Sequence, residues 1–257
     1  MRLWIFLFTL SSLHAAYVGN PASAAIMNTG IFSMQNPFFK GTTGYILDYV
    51  ENKRYVLSDG NPAADPKFRK FSIHTQNASA SLILLERIEL YGTAGGSKQN
   101  ANPINSQDFL VNFHGTYQFS WGTGAKIVLL QWGKTYFCTD VAYFTIPSSP
   151  KSFFKFLNRL NLELDMNKQP FRLREWQIAG ALASKFYFVT PYVGALYLHS
   201  HLHVHSGPDI SAIDYYNERK WGLFYGLTLS ITGRLHLNFE RRVANEFAYG
   251  FSTTAVF

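Results

Sequence analysis

Four histidines occupy every second position of one short segment: His199, His201, His203 and His205. Because side chains two residues apart on a β-strand share a face, neighbouring imidazoles there would be about 6.6 Å apart along the strand. One His-x-His pair could chelate a metal ion at about 2.0–2.1 Å per ligand, but four in a row cannot all reach one ion. No nearby carboxylate that would orient such ligands is evident in the sequence. The segment is therefore open to three interpretations: a polar wall, a metal or cation site, or a cluster that gains positive charge near pH 6.5.

Other charged or titratable residues lie opposite apolar faces in alternating segments: Asp48, Lys126, Glu163, Asp165, Glu175, Arg234, His236 and Glu240. Rows of such side chains on an inner wall can set the ion preference of a pore, or they can simply hydrate a polar interior. Nothing in the sequence brings Asp140 together with a histidine and a serine, so no catalytic triad is indicated. We therefore expect no enzyme activity and no cofactor.

The segments that carry these residues alternate apolar and polar side chains, which is typical of β-strands with one apolar face. The alternation is cleanest over residues 159–167, 219–231, 233–240 and 246–257. Turn signals divide the chain into about 12 strands, within a range of 10 to 14. With both chain ends at one end of the sheet, the long polar connections 56–67, 96–107 and 204–218 fall at the other end. The tight turns at 86, 122–124, 185–188 and 232–233 fall on the side of the chain ends, and the long connection 147–158 is the exception.

Composition favours a membrane barrel over other all-β folds. Aromatic residues make up 17% and charged residues 15% of the 257-residue chain, and the mean hydropathy is −0.05. No apolar run after residue 16 is long enough for a membrane helix, whereas the strands of a membrane barrel average to near-neutral hydropathy. The sequence therefore predicts a transmembrane antiparallel β-barrel, with a soluble β-sandwich as the alternative. In that barrel the four histidines would face the lumen with Ala195 and Tyr197, and the intervening leucines would face lipid.

The last strand, residues 246–257, carries Phe247, Tyr249 and Phe251 on one face and small or polar residues on the other. We expect it to close the barrel against the strand 44–55, because an open apolar edge would aggregate. Phe257 is similar to the terminal sorting signal of bacterial outer-membrane barrels and is predicted to be the assembly signal.

The start of the chain is typical of an export signal: Arg2, then the apolar run Leu3–Leu10, then a small-residue cleavage region ending at Ala15. We therefore predict a signal peptide over residues 1–15 and one barrel domain over 16–257, in which residues 16–40 are irregular and could fold inside the barrel. The formal net charge of +7 is scattered along the chain, so no nucleic-acid partner is indicated. Cys138 is the single cysteine, which excludes an intrachain disulfide.

Several motifs resemble those of the chlamydial major outer membrane protein family. They appear in the family's order and cover most of the chain: Ser11–Ala15 with Val18–Ala22, Gly44-Tyr45 with Asp48, Glu86–Tyr91 leading to Gly95, Phe119-Ser120-Trp121 with Gly124-Ala125-Lys126, and Arg174–Gln177 with Thr190–Gly194. The resemblance implies an outer-membrane porin that is usually oligomeric and is a surface antigen. The chain departs from the family in its single cysteine, which makes a disulfide-linked envelope role doubtful, and in its shorter length.

These observations predict a bacterial outer-membrane protein that lets ions and small solutes diffuse passively. The alternative is a non-conducting surface or adhesion protein that works through its loops, and an outer-membrane hydrolase ranks below both. The expected partners are outer-membrane lipid and lipopolysaccharide, the barrel assembly machinery and a second copy of the chain.

Overall fold

The computed structural model describes residues 17–26, 39–57, 68–102, 109–149, 153–158, 163–166, 171–204, 213–232 and 234–257. Within these ranges the chain forms one short helix and fourteen strands. They are α1 Ser23–Ile26, β1 Phe39–Leu57, β2 Phe68–Leu84, β3 Ile88–Asn102, β4 Phe109–His114, β5 Gln118–Trp132, β6 Thr135–Ser149, β7 Phe153–Asn158, β8 Glu163–Met166, β9 Phe171–Ser184, β10 Val189–Val204, β11 Ile213–Asn217, β12 Trp221–Ser230, β13 Leu235–Val243 and β14 Glu246–Val256.

Ten of these strands close into an antiparallel barrel in the order β1, β2, β3, β5, β6, β9, β10, β12, β13 and β14. The last strand returns to the first, with a register that runs from Thr42 opposite Val256 to Lys53 opposite Glu246. The predicted all-β antiparallel barrel is therefore confirmed. Its ten strands lie at the lower limit of the predicted range of 10 to 14.

Two segments account for the difference from twelve strands. Gly122-Thr123-Gly124 is not a turn but lies inside β5, where it pairs with β3 and β6. A Cβ on Gly124 would come within 2.4 Å of the Tyr91 hydroxyl, so glycine makes room there for a neighbouring ring. The second segment, 159–167, contributes β8, which pairs with β7 away from the barrel wall.

The four remaining strands extend the barrel at one end. β4 continues from the edge of β3 and pairs with β7, which pairs with β8. β11 pairs with β10 on one side and with β1 on the other. It lies beyond the ends of β12, β13 and β14. At this level of the wall, β11 alone connects β10 to β1, whereas lower down three strands lie between them.

The connections differ between the two ends of the barrel. β2–β3, β5–β6, β9–β10 and β12–β13 are joined by short turns at the end where Phe39 and Phe257 lie, which we call the terminal end. The connections that begin after Leu57, Asn102, Ser149 and Val204 are long and lie at the opposite end, which we call the loop end. The exception is the two-residue β13–β14 turn at Ala244-Asn245, which is short although it lies at the loop end. The prediction that 147–158 is a long connection on the terminal side is wrong. The tight hairpin at Gly133, with φ of +58°, is on that side and restores the alternation.

The outer surface of the barrel is apolar between two rows of aromatic side chains. Trp121, Trp176 and Trp221 are exposed towards the loop end, and Trp132, Phe186 and Phe257 are exposed at the terminal end. Trp176 and Phe186 are ten residues apart, which for a strand tilted by about 40° corresponds to roughly 25 Å along the barrel axis. This is the height and pattern of a barrel surface that spans a membrane. No helix in the described residues is long and apolar enough to cross a membrane.

Replacing a side chain in the middle of this apolar band should destabilise the protein in lipid. Leu182 is 49% exposed between the two aromatic rows. We expect Leu182→Arg to lower the free energy of unfolding by about 2–4 kcal/mol, measured by denaturant titration in phospholipid vesicles. The matched control is Phe188→Arg, in the β9–β10 turn, which should cost about 0–1 kcal/mol. Equal losses at the two positions would contradict the assignment of the band.

Candidate functional site

An ion pair crosses the lumen of the barrel from wall to wall. Lys53 on β1 donates through Nζ to Glu175 Oε1 on β9, and it lies 3.3 Å from Glu246 Oε2 on β14. β1 and β9 are five strands apart around a ring of ten, so they stand on opposite sides of the barrel. The Lys53–Glu175 pair therefore closes the full width of the lumen.

A second cation extends this pair into a network. Arg242 Nη2 lies 2.6 Å from both carboxylate oxygens of Asp48. The same guanidinium lies 2.8 Å from Glu246 and 3.4 Å from Glu240. Because Glu246 contacts both cations, Lys53 and Arg242 belong to one cluster. We call it the lumen network: Asp48, Lys53, Glu175, Glu240, Arg242 and Glu246.

Hydroxyl groups supply further hydrogen bonds to the carboxylates of the network. Ser200 Oγ donates to Glu175 Oε1 at 2.5 Å and also contacts the Tyr55 hydroxyl at 2.6 Å. Tyr192 donates to Glu240 at 3.2 Å. Charges taken out of water are tolerated only when such bonds occupy their remaining lone pairs, so these neutral residues help the network to stay buried.

A segment of the chain lies inside the barrel on the terminal side of the network. Tyr17 contacts Ser252 Oγ at 2.9 Å, and Asn20 donates to Thr228 Oγ1 at 2.8 Å. Helix α1 follows, and Ser23 donates to Glu89 on β3. A cavity of about 60 Å³ remains beside this segment, which is room for only a few water molecules. Residues 17–26 therefore fill much of the lumen, within the range 16–40 that the sequence predicted to be irregular.

Apolar side chains fill the lumen around the network and towards the loop end. The members of this buried cluster come from seven strands: Val50, Tyr55, Phe71, Ile73, Phe144, Ile146, Leu173, Leu202, Tyr215 and Ala248. Its presence at the inner face means that this barrel has an apolar core inside as well as an apolar band outside.

The described residues close the lumen at the level of the network. Side chains that line a water-filled pore remain accessible to water, whereas Asp48, Lys53, Glu175 and Arg242 are each only 1% exposed. A ten-stranded barrel lies near the size at which side chains fill the interior. The interior is therefore packed like a core and does not form an open channel at this level.

The histidine segment faces outwards, so the prediction that it lines the lumen is wrong. On β10 the inward side chains are Leu196, Leu198, Ser200 and Leu202, each at most 4% exposed. The leucines pack inside because the filled interior offers them an apolar environment. The histidines therefore continue the outward face that carries Val193, and they do not form a ring of titrating groups in a pore. His205 lies outside the described residues.

Two of the histidines converge on a carboxylate from β11. His203 lies directly opposite Asp214 in the strand register, and His201 lies opposite Tyr216. Asp214 Oδ1 is 2.7 Å from His201 Nε2 and 2.6 Å from His203 Nδ1. The hydrogen bond from His203, and then that from His201, hold the pKa of Asp214 below its ordinary value. The structure thus supplies a carboxylate that was not evident near the histidines in the sequence.

The structure places the other predicted lumen residues in different environments. Lys126 is buried in the lumen, with Nζ 5.2 Å from the centre of the Tyr91 ring. His236 is buried with Nδ1 3.0 Å from Ser230 Oγ. Arg234 is exposed in the turn before β13, so its assignment to the lumen is wrong, because strand alternation does not extend into the turn.

Glu163 and Asp165 lie on β8, which is outside the closed barrel, so their assignment to its inner wall is also wrong. Their side chains lie outside the described residues. Phe257 is exposed, and its backbone pairs with Gly41 through bonds of 3.3 Å and 3.1 Å at the seam between β1 and β14.

The sequence interpretation missed three members of the lumen network. Lys53 faces inwards because a β-bulge between Val50 and Asn52 reverses the alternation along β1. Arg242 lies just beyond the segment 233–240 in which the alternation was recognised, although β13 continues to Val243, and period-2 extension from Glu240 would have identified it. Glu246 lies on the polar face of the last strand and could have been found in the same way.

No model of a protein family matches the sequence, and no curated protein matches it. Among solved structures, the chain is similar to the translocator domain of the autotransporter NalP from Neisseria meningitidis, with 7% identity, 92% of each chain covered and a TM-score of 0.43. It is also similar to the outer membrane protease OmpT from Escherichia coli, with 12% identity and a TM-score of 0.41, and the match covers 89% of this chain and 98% of that protein's chain. An outer membrane channel from Pseudomonas putida F1 is similar with 10% identity and a TM-score of 0.41, and the match covers 90% of this chain and 98% of the channel's chain. Because the identities and TM-scores are low, the barrel architecture is established by the strand pairing within this chain and not by these similarities.

Removing one charge of the lumen network should destabilise the barrel strongly. Lys53→Met leaves the buried Glu175 carboxylate without its cation, and we expect a loss of about 3–5 kcal/mol in the free energy of unfolding. The double variant Lys53→Met/Glu175→Gln should lose less than the sum of the two single variants, because neither charge is then left uncompensated.

The control for this prediction is Arg54→Ala. Arg54 and Glu218 form an exposed ion pair at 3.8 Å, with side chains 49% and 39% accessible. Such pairs contribute at most about 1 kcal/mol. Denaturant unfolding in vesicles measures all four variants, and an effect of Lys53→Met no larger than that of Arg54→Ala would contradict the role of the network.

Proposed function

We propose that this chain is an outer-membrane barrel with a closed lumen, and that it works as a surface-exposed envelope protein through its loop end. The observation that carries the proposal is the Lys53–Glu175 pair, which joins opposite walls of the barrel. A general porin needs a water-filled path between its walls. Here the two side chains occupy that path with 1% exposure each.

The arrangement of turns supports the proposed orientation in the outer membrane. Bacterial outer-membrane barrels have short turns on the periplasmic side and longer loops outside. On that basis the terminal end would face the periplasm, and the loop end would face the medium. Beyond the aromatic row at the loop end, basic side chains lie on the outward face: Arg54, Arg172, Arg174, Arg219 and Lys220. These cations fit an outer leaflet of anionic lipopolysaccharide headgroups.

Passive diffusion of small solutes is the function that the sequence alone favoured. It would require the lumen network to separate and the segment 17–26 to leave the barrel. The proposed relationship to the chlamydial major outer membrane protein family has the sequence motifs in its support. In one of these motifs, Phe119–Trp121 and Gly124–Lys126 lie together on the single strand β5, whereas the sequence predicted a tight turn at 122–124.

Conductance measurements decide between the two functions. We expect the refolded wild-type protein to insert into planar bilayers without steady current in molar KCl, because the lumen network crosses the path of the ions. Insertion must be checked independently, for example by protease protection in vesicles of the same lipid. Sustained open channels of the wild-type protein would overturn the closed-barrel proposal and would support passive diffusion.

Cysteine labelling on intact Gram-negative cells tests the orientation. Glu218 at the loop end and Lys134 in the β5–β6 turn are both exposed. The native Cys138 is buried at 0% exposure and should not react with the label. We expect Glu218→Cys to react with a membrane-impermeant maleimide on intact cells. Lys134→Cys should react only after the outer membrane is permeabilised. The reverse pattern would show that the barrel has the opposite orientation.

A further inference from the structure

The outward face of β10 and β11 presents a compact set of metal-binding side chains. One imidazole nitrogen from each of His201 and His203 and one carboxylate oxygen of Asp214 all lie within 4.8 Å of one another. The backbone register produces this set, because His203 and Asp214 form a cross-strand pair and His201 is their neighbour on the same face. The three ligand atoms therefore do not depend on a mobile loop for their convergence.

The orientation of the His201 ring is held by a neighbouring aromatic residue. Tyr216 stacks on His201, with ring centroids 4.8 Å apart and an interplanar angle of 8°. Tyr216 is also close to His199, at 5.7 Å between centroids. His199 in turn lies beside Trp176 of the aromatic row, which places the histidine–aspartate set just beyond the apolar band. The set is thus at the edge of the membrane and remains open to water, with side chains 28%, 29% and 41% accessible for His201, His203 and Asp214.

We propose that His201, His203 and Asp214 bind a divalent transition-metal ion, for which Zn²⁺ has the best match of ligand types. Two imidazole nitrogens and one carboxylate oxygen are a donor set that borderline metals prefer and that Ca²⁺ and Mg²⁺ do not. Three protein ligands leave the fourth tetrahedral position for water or for an outside ligand. The inference concerns the outer surface and does not rest on whether the lumen conducts.

Admitting the ion requires both the carboxylate and the imidazole rings to adjust, because the two nitrogens, which lie within 4.8 Å of each other, must also reach the spacing of a tetrahedral site. Ligands at about 2.0–2.1 Å from a tetrahedral ion are about 3.3 Å from one another. Asp214 now lies 2.6–2.7 Å from the two nitrogens, so its carboxylate has to withdraw by about 0.7 Å. Its accessible side chain has room for that movement. The ion would replace the two hydrogen bonds by three metal–ligand bonds and would tie β11 to β10.

Neighbouring arginines set a limit on the affinity. Arg174 and Arg172 on β9 stand opposite His201 and His203 in the register. Their positive charges oppose a bound cation through a partly aqueous medium, which weakens but does not abolish binding. We therefore expect micromolar rather than nanomolar binding of Zn²⁺.

The experiment is a Zn²⁺ titration of the refolded full chain in detergent, in competition with a chromophoric chelator. We expect one Zn²⁺ per chain, no competition from a large excess of Mg²⁺, and an affinity at least about tenfold lower for Asp214→Asn and for His201→Asn/His203→Asn. Asp214→Asn keeps the shape of the side chain, and unfolding in denaturant confirms that each variant is folded.

The matched control is His199→Asn, which removes an outward histidine of the same strand that is not one of the three proposed ligands. Its Zn²⁺ affinity should equal that of the wild type. Co²⁺ bound in place of Zn²⁺ should give the visible absorption of a four-coordinate nitrogen–oxygen site, and this spectrum should be absent in Asp214→Asn. Retention of stoichiometric Zn²⁺ binding by Asp214→Asn and the double histidine variant, or an equal loss in His199→Asn, would overturn the proposal.

Discussion

The structure depends on one constraint: charged side chains inside a narrow barrel must find partners across the lumen. In a barrel of ten strands, opposite walls are close enough for a lysine on β1 to reach a glutamate on β9. Once Lys53 and Glu175 meet, water is excluded, and Arg242 in turn pairs with Asp48, Glu240 and Glu246. The network thereby makes the interior a packed core.

The barrel itself was predictable from the sequence, because alternation over β12, β13 and β14 separates an apolar outer face from a polar inner face. Leu223 and Phe247 are exposed, whereas Asn238 and Ser252 are buried, as the period-2 pattern requires. The same rule failed on β10, where the inner side chains are also apolar. When the lumen is filled with apolar side chains, leucines can pack either against lipid or inside the barrel. The alternation then predicts a strand but does not show which of its faces points inwards.

Within the candidate sites, prediction succeeded where charge followed regular alternation and failed where the backbone departed from it. Asp48, Glu175 and Glu240 were found, whereas the bulge beside Asn52 hid Lys53. The histidine–aspartate set was hidden for a different reason. Asp214 is eleven residues beyond His203 along the chain, and only the return of β11 alongside β10 brings the two together. A single sequence contains the histidine spacing but not the strand register that supplies the third ligand.

The position of β11 has a consequence for how the barrel opens and closes. Its pairing with β10 is local, so the β10–β11 hairpin can form before the rest of the barrel. Its pairing with β1, at Tyr55 opposite Asn217, joins distant parts of the chain and lies at the loop end of the seam between β1 and β14. β11 then acts as a latch over the seam. Separation of β1 from β14 starting at the loop end would also have to break the pairing of β1 with β11, so β11 reinforces the seam there.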